Sequence, residues 1–211
     1  MLSDSHAAAI EALRGALARP LPGLPTQLGM APRPRPGTER ILDPLLNCKR
    51  AGVLVLLYPR AGETHLVLTR RTDALENHRG QISFPGGSID AGEDAVAAAL
   101  REAMEELGVD PHSLDVLGRL SPLYIPPSAF CIYPVVAAAG EPPAFTPNGD
   151  EVAEVLEVPL RHLLAPATRC AETWELRGEP VRVPFYAVGA HKVWGATAMV
   201  LCELLALLAG G

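Results

Sequence analysis

The sequence of 211 residues is poor in aromatic side chains and has no surplus of positive charge. Ten residues are aromatic, and 18 basic residues stand against 24 acidic ones, for a formal net charge of −6. Nucleic-acid-binding domains use basic grooves and aromatic stacking platforms. The composition therefore argues against a role in binding DNA or RNA. With 48% apolar residues, it is otherwise the composition of a folded globular domain.

Closely spaced cysteines are also missing. The four cysteines stand far apart in the chain, at Cys48, Cys131, Cys170 and Cys202. None forms a Cys-x-x-Cys pair or has a histidine at ligand spacing, which argues against a zinc site or a redox-active dithiol. We therefore expect four free thiols in a reducing cytosol.

Long apolar runs are absent as well. The longest apolar tract begins at Ala196, is interrupted by Glu203, and is shorter than the roughly 20 residues of a membrane-spanning helix. We expect a buried helix there and no membrane partner. The N-terminus lacks the basic start of a signal peptide, so we expect a cytoplasmic location.

The chain divides into an N-terminal arm, residues 1–36, and one larger domain, residues 37–211. Ser5 is placed to cap a helix whose apolar residues recur every three or four positions until Pro20. Prolines then crowd residues 20–36, which predicts an extended arm or linker without regular structure.

Apolar runs bounded by turn residues predict an α/β domain with a mixed sheet. Strands are expected at 52–58, 65–69, 114–120, 131–136, 152–158, 169–176 and 181–186. Helices are expected at 93–107 and at about 193–208. The first of these helices carries an apolar stripe that can pack on the sheet, and Gly108 follows as its C-cap.

Three glutamates lie together on the predicted central helix. Glu102, Glu105 and Glu106 stand at i, i+3 and i+4, so the helix presents three carboxylates on one face, out at a cleft. Like charges at this spacing repel mildly, and a hard divalent cation such as Mg²⁺ would relieve the repulsion. Taken alone, such a triplet is more often a solvated helix face than a metal site.

The residues around the triplet extend the pattern. From Gly87 to Val109 the chain reads G-x5-E-x7-R-E-A-x-E-E-x-G-V. This segment resembles the signature of the Nudix hydrolase family, with Ala103 in place of a bulky aliphatic residue. The resemblance implies an α/β/α sandwich with a mixed central sheet and a loop-helix-loop catalytic motif. It also implies an enzyme that hydrolyses a nucleoside diphosphate linked to another group.

The resemblance assigns roles to the charged residues of this segment. Glu102 and Glu106 are the expected ligands of Mg²⁺ or Mn²⁺, and Glu105 is the next candidate, as a ligand or a catalytic residue. Glu93 fixes the loop or reaches a second metal ion. Arg101 orients a glutamate through charge-assisted hydrogen bonds.

A second motif precedes the first. Residues 67–72 and 80–87 resemble the additional signature of the coenzyme A pyrophosphatase branch, L-L-T-x-R-[SA]-x3-R-x3-G-x3-F-P-G-G. Thr72 replaces the small Ser or Ala of that signature, and Glu76 replaces its second Arg. The candidates for substrate binding are Arg70, Arg71, His78, Arg79, Gln81, Phe84, Gly86 and Gly87. Surface solubility is the alternative explanation for any one of these arginines.

The likeness covers about residues 50–208 and includes the stretches 148–160 and 193–198. In the first stretch, Glu151 or Glu154 supplies a further metal ligand or the general base, unless both are exposed acids beside a strand. The expected reaction splits coenzyme A or an acyl derivative into 4′-phosphopantetheine, or its acyl form, and 3′,5′-ADP. ADP-ribose, NADH or a nucleoside triphosphate are alternative substrates. A nucleotide-sensing module without activity is a further alternative, and a homodimer is left open.

Overall fold

The computed structural model describes residues 5–35, 48–72, 80–176 and 178–210. Its helices are α1 (His6–Leu17), α2 (Gly23–Gln27), α3 (Ala95–Leu107), α4 (Leu160–Leu164) and α5 (Gly195–Ala209). The first strands are β1 (Lys49–Arg60), β2 (Glu63–Arg71), β3 (Ile82–Ser83), β4 (Gly86–Ser88), β5 (Leu114–Arg119) and β6 (Leu123–Ile125). The later strands are β7 (Phe130–Ala139), β8 (Val152–Pro159), β9 (Arg169–Leu176), β10 (Glu179–Val188) and β11 (His191–Trp194).

Strands β1 to β8 form one mixed sheet. The central order is β3-β2-β1-β7-β5, with β4 beside β1, β6 beside β7 and β8 beside β2. Strands β1 and β7 run parallel, and the other pairs in this sheet are antiparallel within the described residues. Strands β9, β10 and β11 form a second, antiparallel sheet.

Helices cover both faces of the mixed sheet because the side chains of β1 alternate between them. Leu54, Leu56 and Tyr58 pack in the hydrophobic cluster that contains α3. Val55 and Leu57 pack in the opposite cluster, which contains residues of α1 and α5. The predicted α/β/α architecture with a mixed sheet is confirmed.

Helix α3 is two residues shorter than predicted because Asp94 caps it. The Asp94 carboxylate accepts hydrogen bonds from the backbone N–H groups of Val96 and Ala97, both at 2.9 Å. At the other end Gly108 takes the left-handed conformation, with φ of 70°, and is the C-cap that the sequence predicted.

A close approach of α3 to β1 depends on Gly52. A Cβ atom at this position would lie 2.6 Å from the carbonyl oxygen of Ala95 and 3.0 Å from the backbone nitrogen of Ala99. Small residues on both elements therefore set the distance between α3 and the sheet.

The N-terminal arm is more regular than predicted. Ser5 caps α1 as expected, and its hydroxyl accepts from the N–H of Ala8. The prediction of an arm without regular structure is wrong at Gly23–Gln27, which form the short helix α2. Pro25 is tolerated because the first turn of a helix needs no backbone donor at that position. Met30 is buried in the same hydrophobic cluster as α5.

A buried carboxylate on α5 holds this arm in place. Glu203 accepts hydrogen bonds from the backbone N–H of Gly23 and the side-chain amide of Gln27, both at 2.9 Å. It also accepts from the backbone N–H and hydroxyl of Ser121, at 3.1 and 2.7 Å. Four donors thus satisfy a carboxylate that is inaccessible to solvent.

The prediction of four free thiols is wrong for two of the cysteines. Cys48 and Cys131 form a disulfide whose Cα atoms lie 5.7 Å apart. The two residues are 83 positions apart in sequence, and the parallel pairing of β1 with β7 brings them together, with Lys49 beside Phe130. Cys170 and Cys202 are free.

The apolar tract near the end of the chain is the buried helix that we expected. Most of α5 packs in the hydrophobic cluster beneath the mixed sheet. Among the described helices, none has the length and apolar character needed to span a bilayer.

Candidate active site

Glu106 lies at the centre of the site and is buried, with 5% of its surface exposed. It accepts a weak hydrogen bond from the backbone N–H of Gly86 on β4, at 3.4 Å. Burial, together with the charges of Glu102 and Glu151, raises the pKa of Glu106 to about 7, although the charge of Arg71 opposes the rise. The expectation that all three helix carboxylates point outward is therefore wrong for Glu106, because the strand at Gly86 covers it.

Glu102 lies one turn earlier on α3, against β4. A Cβ atom on Gly87 would overlap its carboxyl group, so the glycine leaves the space that this carboxylate fills. Burial raises the pKa of Glu102, and the adjacent Arg101 guanidinium partly offsets the rise.

Arg101 joins α3 to the loop that precedes it. Its Nε and Nη2 atoms donate to the two carboxylate oxygens of Glu93, at 3.0 and 3.1 Å. Its Nη1 atom donates to Glu102 at 2.8 Å and to Glu105 at 3.2 Å, and Nη2 also donates to the carbonyl of Ser88 at 3.0 Å. Arg101 thus orients Glu102 directly.

Glu93 and Glu105 both form ion pairs with Arg101. Glu93 lies just before α3, where its second contact is the backbone N–H of Asp90, at 3.1 Å. These hydrogen bonds hold the pKa of Glu93 below its usual range. The side chain of Glu105 is 56% exposed and shares Arg101 Nη1 with Glu102. The structure therefore places Glu93 where it fixes the loop, and Glu105 at the rim.

The loop 145–151 delivers a further carboxylate to the site. Its backbone is bound to the end of α3, since the N–H of Thr146 donates to Leu107 O at 2.8 Å and that of Asn148 to Glu106 O at 2.9 Å. Glu151 follows in this loop, and its charge raises the pKa of both buried helix glutamates. The structure thereby groups Glu151 with them.

Glu154 lies elsewhere. On β8 it shares a sheet face with Leu156, which packs in the α5 cluster, whereas Val155 points toward α3. Its carboxylate contacts Arg70 Nε at 3.3 Å and His191 Nε2 at 3.2 Å. Of the two candidates for a further ligand or base, Glu151 is therefore the one whose charge acts on Glu102 and Glu106.

Arg71 is the arginine candidate whose charge acts on Glu106. It ends β2 on the α3 side, where its charge lowers the pKa of Glu106. Its backbone N–H donates to Gln81 O at 3.1 Å. Its Nε atom is buried and has no hydrogen-bond partner among the described residues.

The other substrate-binding candidates are dispersed. Phe84 is buried in the α5 cluster, and Arg70 pairs with Glu154 on that same side of the sheet. Gly86 and Gly87 lie in β4, next to the two buried glutamates. His78 and Arg79 lie outside the described residues.

The donor atoms fit a hard divalent cation. Among the described residues, no three His, Cys, Asp or Glu side chains form a ready-made metal cage. Mg²⁺ needs only one or two protein carboxylates when substrate phosphates and water complete its shell. Glu102, Glu106 and Glu151 supply oxygen donors whose mutual repulsion a cation would relieve.

The sequence profile of the NUDIX domain matches residues 49–176. The chain belongs to the Nudix hydrolase family. It is therefore a pyrophosphohydrolase by family, and Nudix hydrolases generally need divalent metal ions. The match begins with β1 and ends with β9, so it contains α3 and the loop of Glu151.

Several relatives resemble this Nudix hydrolase over most of its length. The human mitochondrial coenzyme A diphosphatase NUDT8 is 40% identical over 185 residues, which are 85% of this chain and 72% of the relative. An uncharacterized Nudix hydrolase, NudL of Photorhabdus laumondii, is 35% identical over 84% of this chain and 91% of the relative. A crystal structure of the Nudix hydrolase RenU of M. smegmatis aligns at 26% identity and a TM-score of 0.45, over 55% of this chain and 73% of that one.

Two residues that build the site were not singled out for it by sequence reasoning. Asn148 shapes the loop before Glu151, and Thr72 binds the same loop. The only sequence signal for Thr72 was its departure from the Ser or Ala of the coenzyme A signature. The hydrogen bond of Thr72 to Asp150 joins residues that are 78 positions apart, so spacing along the chain does not reveal it.

Proposed function

We propose that this Nudix hydrolase splits the pyrophosphate bond of coenzyme A and of its acyl derivatives. The products are 3′,5′-ADP and 4′-phosphopantetheine or its acyl form. One observation carries the proposal: the charge of Arg71, from the coenzyme A signature, acts on Glu106 of the Nudix helix and lowers its pKa. The resemblance to the human relative named a coenzyme A diphosphatase supports the same substrate.

The site carries negative charge, and so does a pyrophosphate. We propose that Glu102 and Glu106 would hold Mg²⁺ or Mn²⁺. When bound, the ion would offset the negative charge of the pyrophosphate, polarise the phosphorus centre and lower the pKa of water. Glu151 serves as a further ligand or as the general base, because it is the loop carboxylate that faces the pair.

Two arginines have different roles in the proposed reaction. Arg71 has a buried Nε atom without a partner, and a guanidinium is suited to bidentate contact with a phosphate. Arg101 keeps Glu102 in place through its hydrogen bond of 2.8 Å. One arginine thus binds the substrate, and the other holds a carboxylate.

Substrate choice is tested by direct assay. The protein is incubated with coenzyme A, ADP-ribose, NADH and a nucleoside triphosphate, with and without Mg²⁺ or Mn²⁺, and the products are separated by chromatography. We expect metal-dependent release of 3′,5′-ADP from coenzyme A. Turnover of ADP-ribose without turnover of coenzyme A would overturn the substrate assignment, and no turnover at all would favour a nucleotide sensor.

The ligand role is tested by substitution. We expect Glu106→Gln to lower kcat by about a hundredfold or more, because it removes a charge that the cation needs. The fold should be retained, since Gln has the same shape and burial disfavours the charged form of Glu106. Glu179→Gln, on the exposed start of β10, is the matched control and should be fully active. A fully active Glu106→Gln enzyme would refute the assignment.

We also propose, from the sequence alone, a cytoplasmic location. The human relative is named as mitochondrial. Fractionation of the source cells distinguishes the two, and recovery in an organelle or membrane fraction would refute the proposal.

A further inference from the structure

The loop that carries Glu151 is held at two ends by different elements. One end is bound to the last turn of α3 through the N–H groups of Thr146 and Asn148, at 2.8 and 2.9 Å from their carbonyl partners. Within the loop, Asn148 O accepts from the N–H of Glu151 at 3.0 Å, and its side-chain oxygen accepts from that of Asp150 at 3.2 Å. Asn148 thereby closes the turn that leads to Glu151.

The other end is bound by Thr72, the residue that follows β2. Its backbone N–H donates to Glu151 O at 3.0 Å, and its hydroxyl donates to Asp150 O at 3.1 Å. Thr72 itself is buried, with 9% of its surface exposed. One residue therefore holds two consecutive carbonyl groups of the loop.

These contacts determine where the side chain of Glu151 points. A peptide group is planar, so a residue keeps only two soft backbone dihedrals between its two flanking peptide planes. The Asp150 carbonyl and the Glu151 N–H belong to the plane before the Cα of Glu151, and the Glu151 carbonyl belongs to the plane after it. Because Thr72 binds both planes, it orients the Cα–Cβ bond of Glu151.

We propose that Thr72 is a positioning residue that directs Glu151 toward Glu102 and Glu106 through its hydroxyl group. The inference rests on the proposed function, since Glu151 is there a ligand or base of the same reaction. The hydroxyl is the part of Thr72 that a substitution removes, because the backbone N–H persists with other residues. The strand that ends in Arg71, the proposed phosphate-binding arginine, is thereby coupled to the loop of Glu151.

The test is a double-mutant cycle with Glu151→Gln. We expect Thr72→Val, which keeps the shape and loses the hydroxyl, to lower kcat by about tenfold to a hundredfold, the order that misplacing a reacting group costs. Thr72→Ser, which keeps the hydroxyl, should restore kcat to within about twofold of wild type. In the Glu151→Gln background, Thr72→Val should add less than about a twofold loss, because the group it positions is already gone.

A matched control separates positioning from stability. Thr168 is also a buried threonine, and its hydroxyl donates to Ala165 O at 2.7 Å in a turn before β9. Thr168→Val should lower the melting temperature without changing kcat. If Thr72→Val does not fold, Thr72→Ala replaces it in the same kinetic comparison, because Ala also lacks the hydroxyl and is a usual residue of the signature at this position.

Several results would overturn the proposal. One is a Thr72→Val enzyme with the kcat of wild type. Another is a Thr72→Val substitution that lowers kcat as much in the Glu151→Gln background as in wild type. The third is a fully active Glu151→Gln enzyme. Crystal structures of wild type and Thr72→Val give a readout independent of turnover. The proposal requires that the peptide group between residues 150 and 151 lies farther from α3 in Thr72→Val than in wild type. An unchanged position of this peptide group would refute the proposal. Failure of the wild type to hydrolyse coenzyme A would instead refute the proposed function.

Discussion

Gly86 and Gly87 are adjacent on β4, but an added side chain would meet a different kind of neighbour at each. At Gly86 a Cβ atom would lie 2.6 Å from the Cα of Val53, which belongs to the backbone of β1. At Gly87 it would overlap the carboxyl group of Glu102, which is the far end of a flexible side chain. A backbone cannot move aside cheaply, whereas a carboxylate can rotate away.

Substitution of these glycines should therefore separate stability from activity. Gly87→Ala should displace the Glu102 carboxylate and lower kcat by about a hundredfold, while the melting temperature changes little. Gly86→Ala should lower the melting temperature clearly, because it forces the β1 and β4 backbones apart. Kinetics and thermal unfolding of the two variants check both statements.

Gly140→Ala is the control, because a Cβ atom there has no neighbour within 4 Å. It should match wild type in both measurements. A Gly87→Ala enzyme as active as Gly140→Ala would show that the position of Glu102 does not matter for turnover.

At the level of elements, sequence reasoning succeeded where a pattern was long and local. It predicted β1 and β2 from apolar runs bounded by turn residues, and α3 from the helical spacing of its apolar residues. It missed β3, β4, β6 and β11, which have two to four residues each. Such short strands exist because a neighbouring strand pairs with them, and their own residues carry no periodic signal.

The same distinction applies to the candidate site. The signature spacing on α3 identified Glu102 and Glu106, since both lie on one helix. It did not decide between Glu151 and Glu154, because Glu151 lies in the loop before β8 whereas Glu154 lies on the strand, on the face of Leu156. Burial of Glu106 was also not predicted, because β4 and the loop that cover it come from other parts of the fold.

Helix α1 is attached to the mixed sheet through the hydrogen bonds of a titratable residue, His6. His6 bonds through Nε2 to the carbonyl of Ala139 at 3.1 Å, and through Nδ1 to the hydroxyl of Thr64 at 3.2 Å. Burial lowers the pKa of His6, although the bond to Ala139 opposes this. The folded protein therefore prefers neutral His6, which joins α1 to β2 and β7.

This contact should make stability depend on pH. As pH falls below about 6.5, the ordinary pKa of histidine, the unfolded chain takes up a proton that folded His6 resists, so stability is lost. We expect His6→Gln to show a smaller loss of melting temperature between pH 7.5 and 5.5 than wild type. His112→Gln, at an exposed turn, is the control and should keep the pH dependence of wild type. Equal pH dependence in His6→Gln and wild type would contradict this role.

Across the whole molecule, specific contacts join elements that are far apart in the sequence. The disulfide of Cys48 and Cys131 links the starts of β1 and β7. The carboxylate of Glu203 links α2, α5 and the residues before β6. Neither could be predicted from spacing, because each depends on how the chain folds back on itself. The N-terminal arm and the Nudix region thus share one hydrophobic cluster.

The disulfide should stabilise the fold by restricting the unfolded chain. Its loop spans 83 residues, so we expect reduction, or Cys48→Ser with Cys131→Ser, to lower the free energy of unfolding by roughly 2–5 kcal/mol. Urea unfolding with and without reductant measures the difference. Cys170→Ser, which removes a free thiol, is the control. Alkylation of the unreduced, unfolded protein should modify two cysteines, and modification of all four would refute the disulfide.

The central claim is that this Nudix hydrolase selects coenzyme A, and the ratio of specificity constants tests it most directly. With Mg²⁺ present, kcat/KM is measured for coenzyme A, an acyl-coenzyme A, ADP-ribose and NADH, with products identified by mass. We predict that coenzyme A or its acyl form exceeds the other two by about tenfold or more, and that it yields 3′,5′-ADP. A higher kcat/KM for ADP-ribose or NADH than for both coenzyme A substrates would contradict the account.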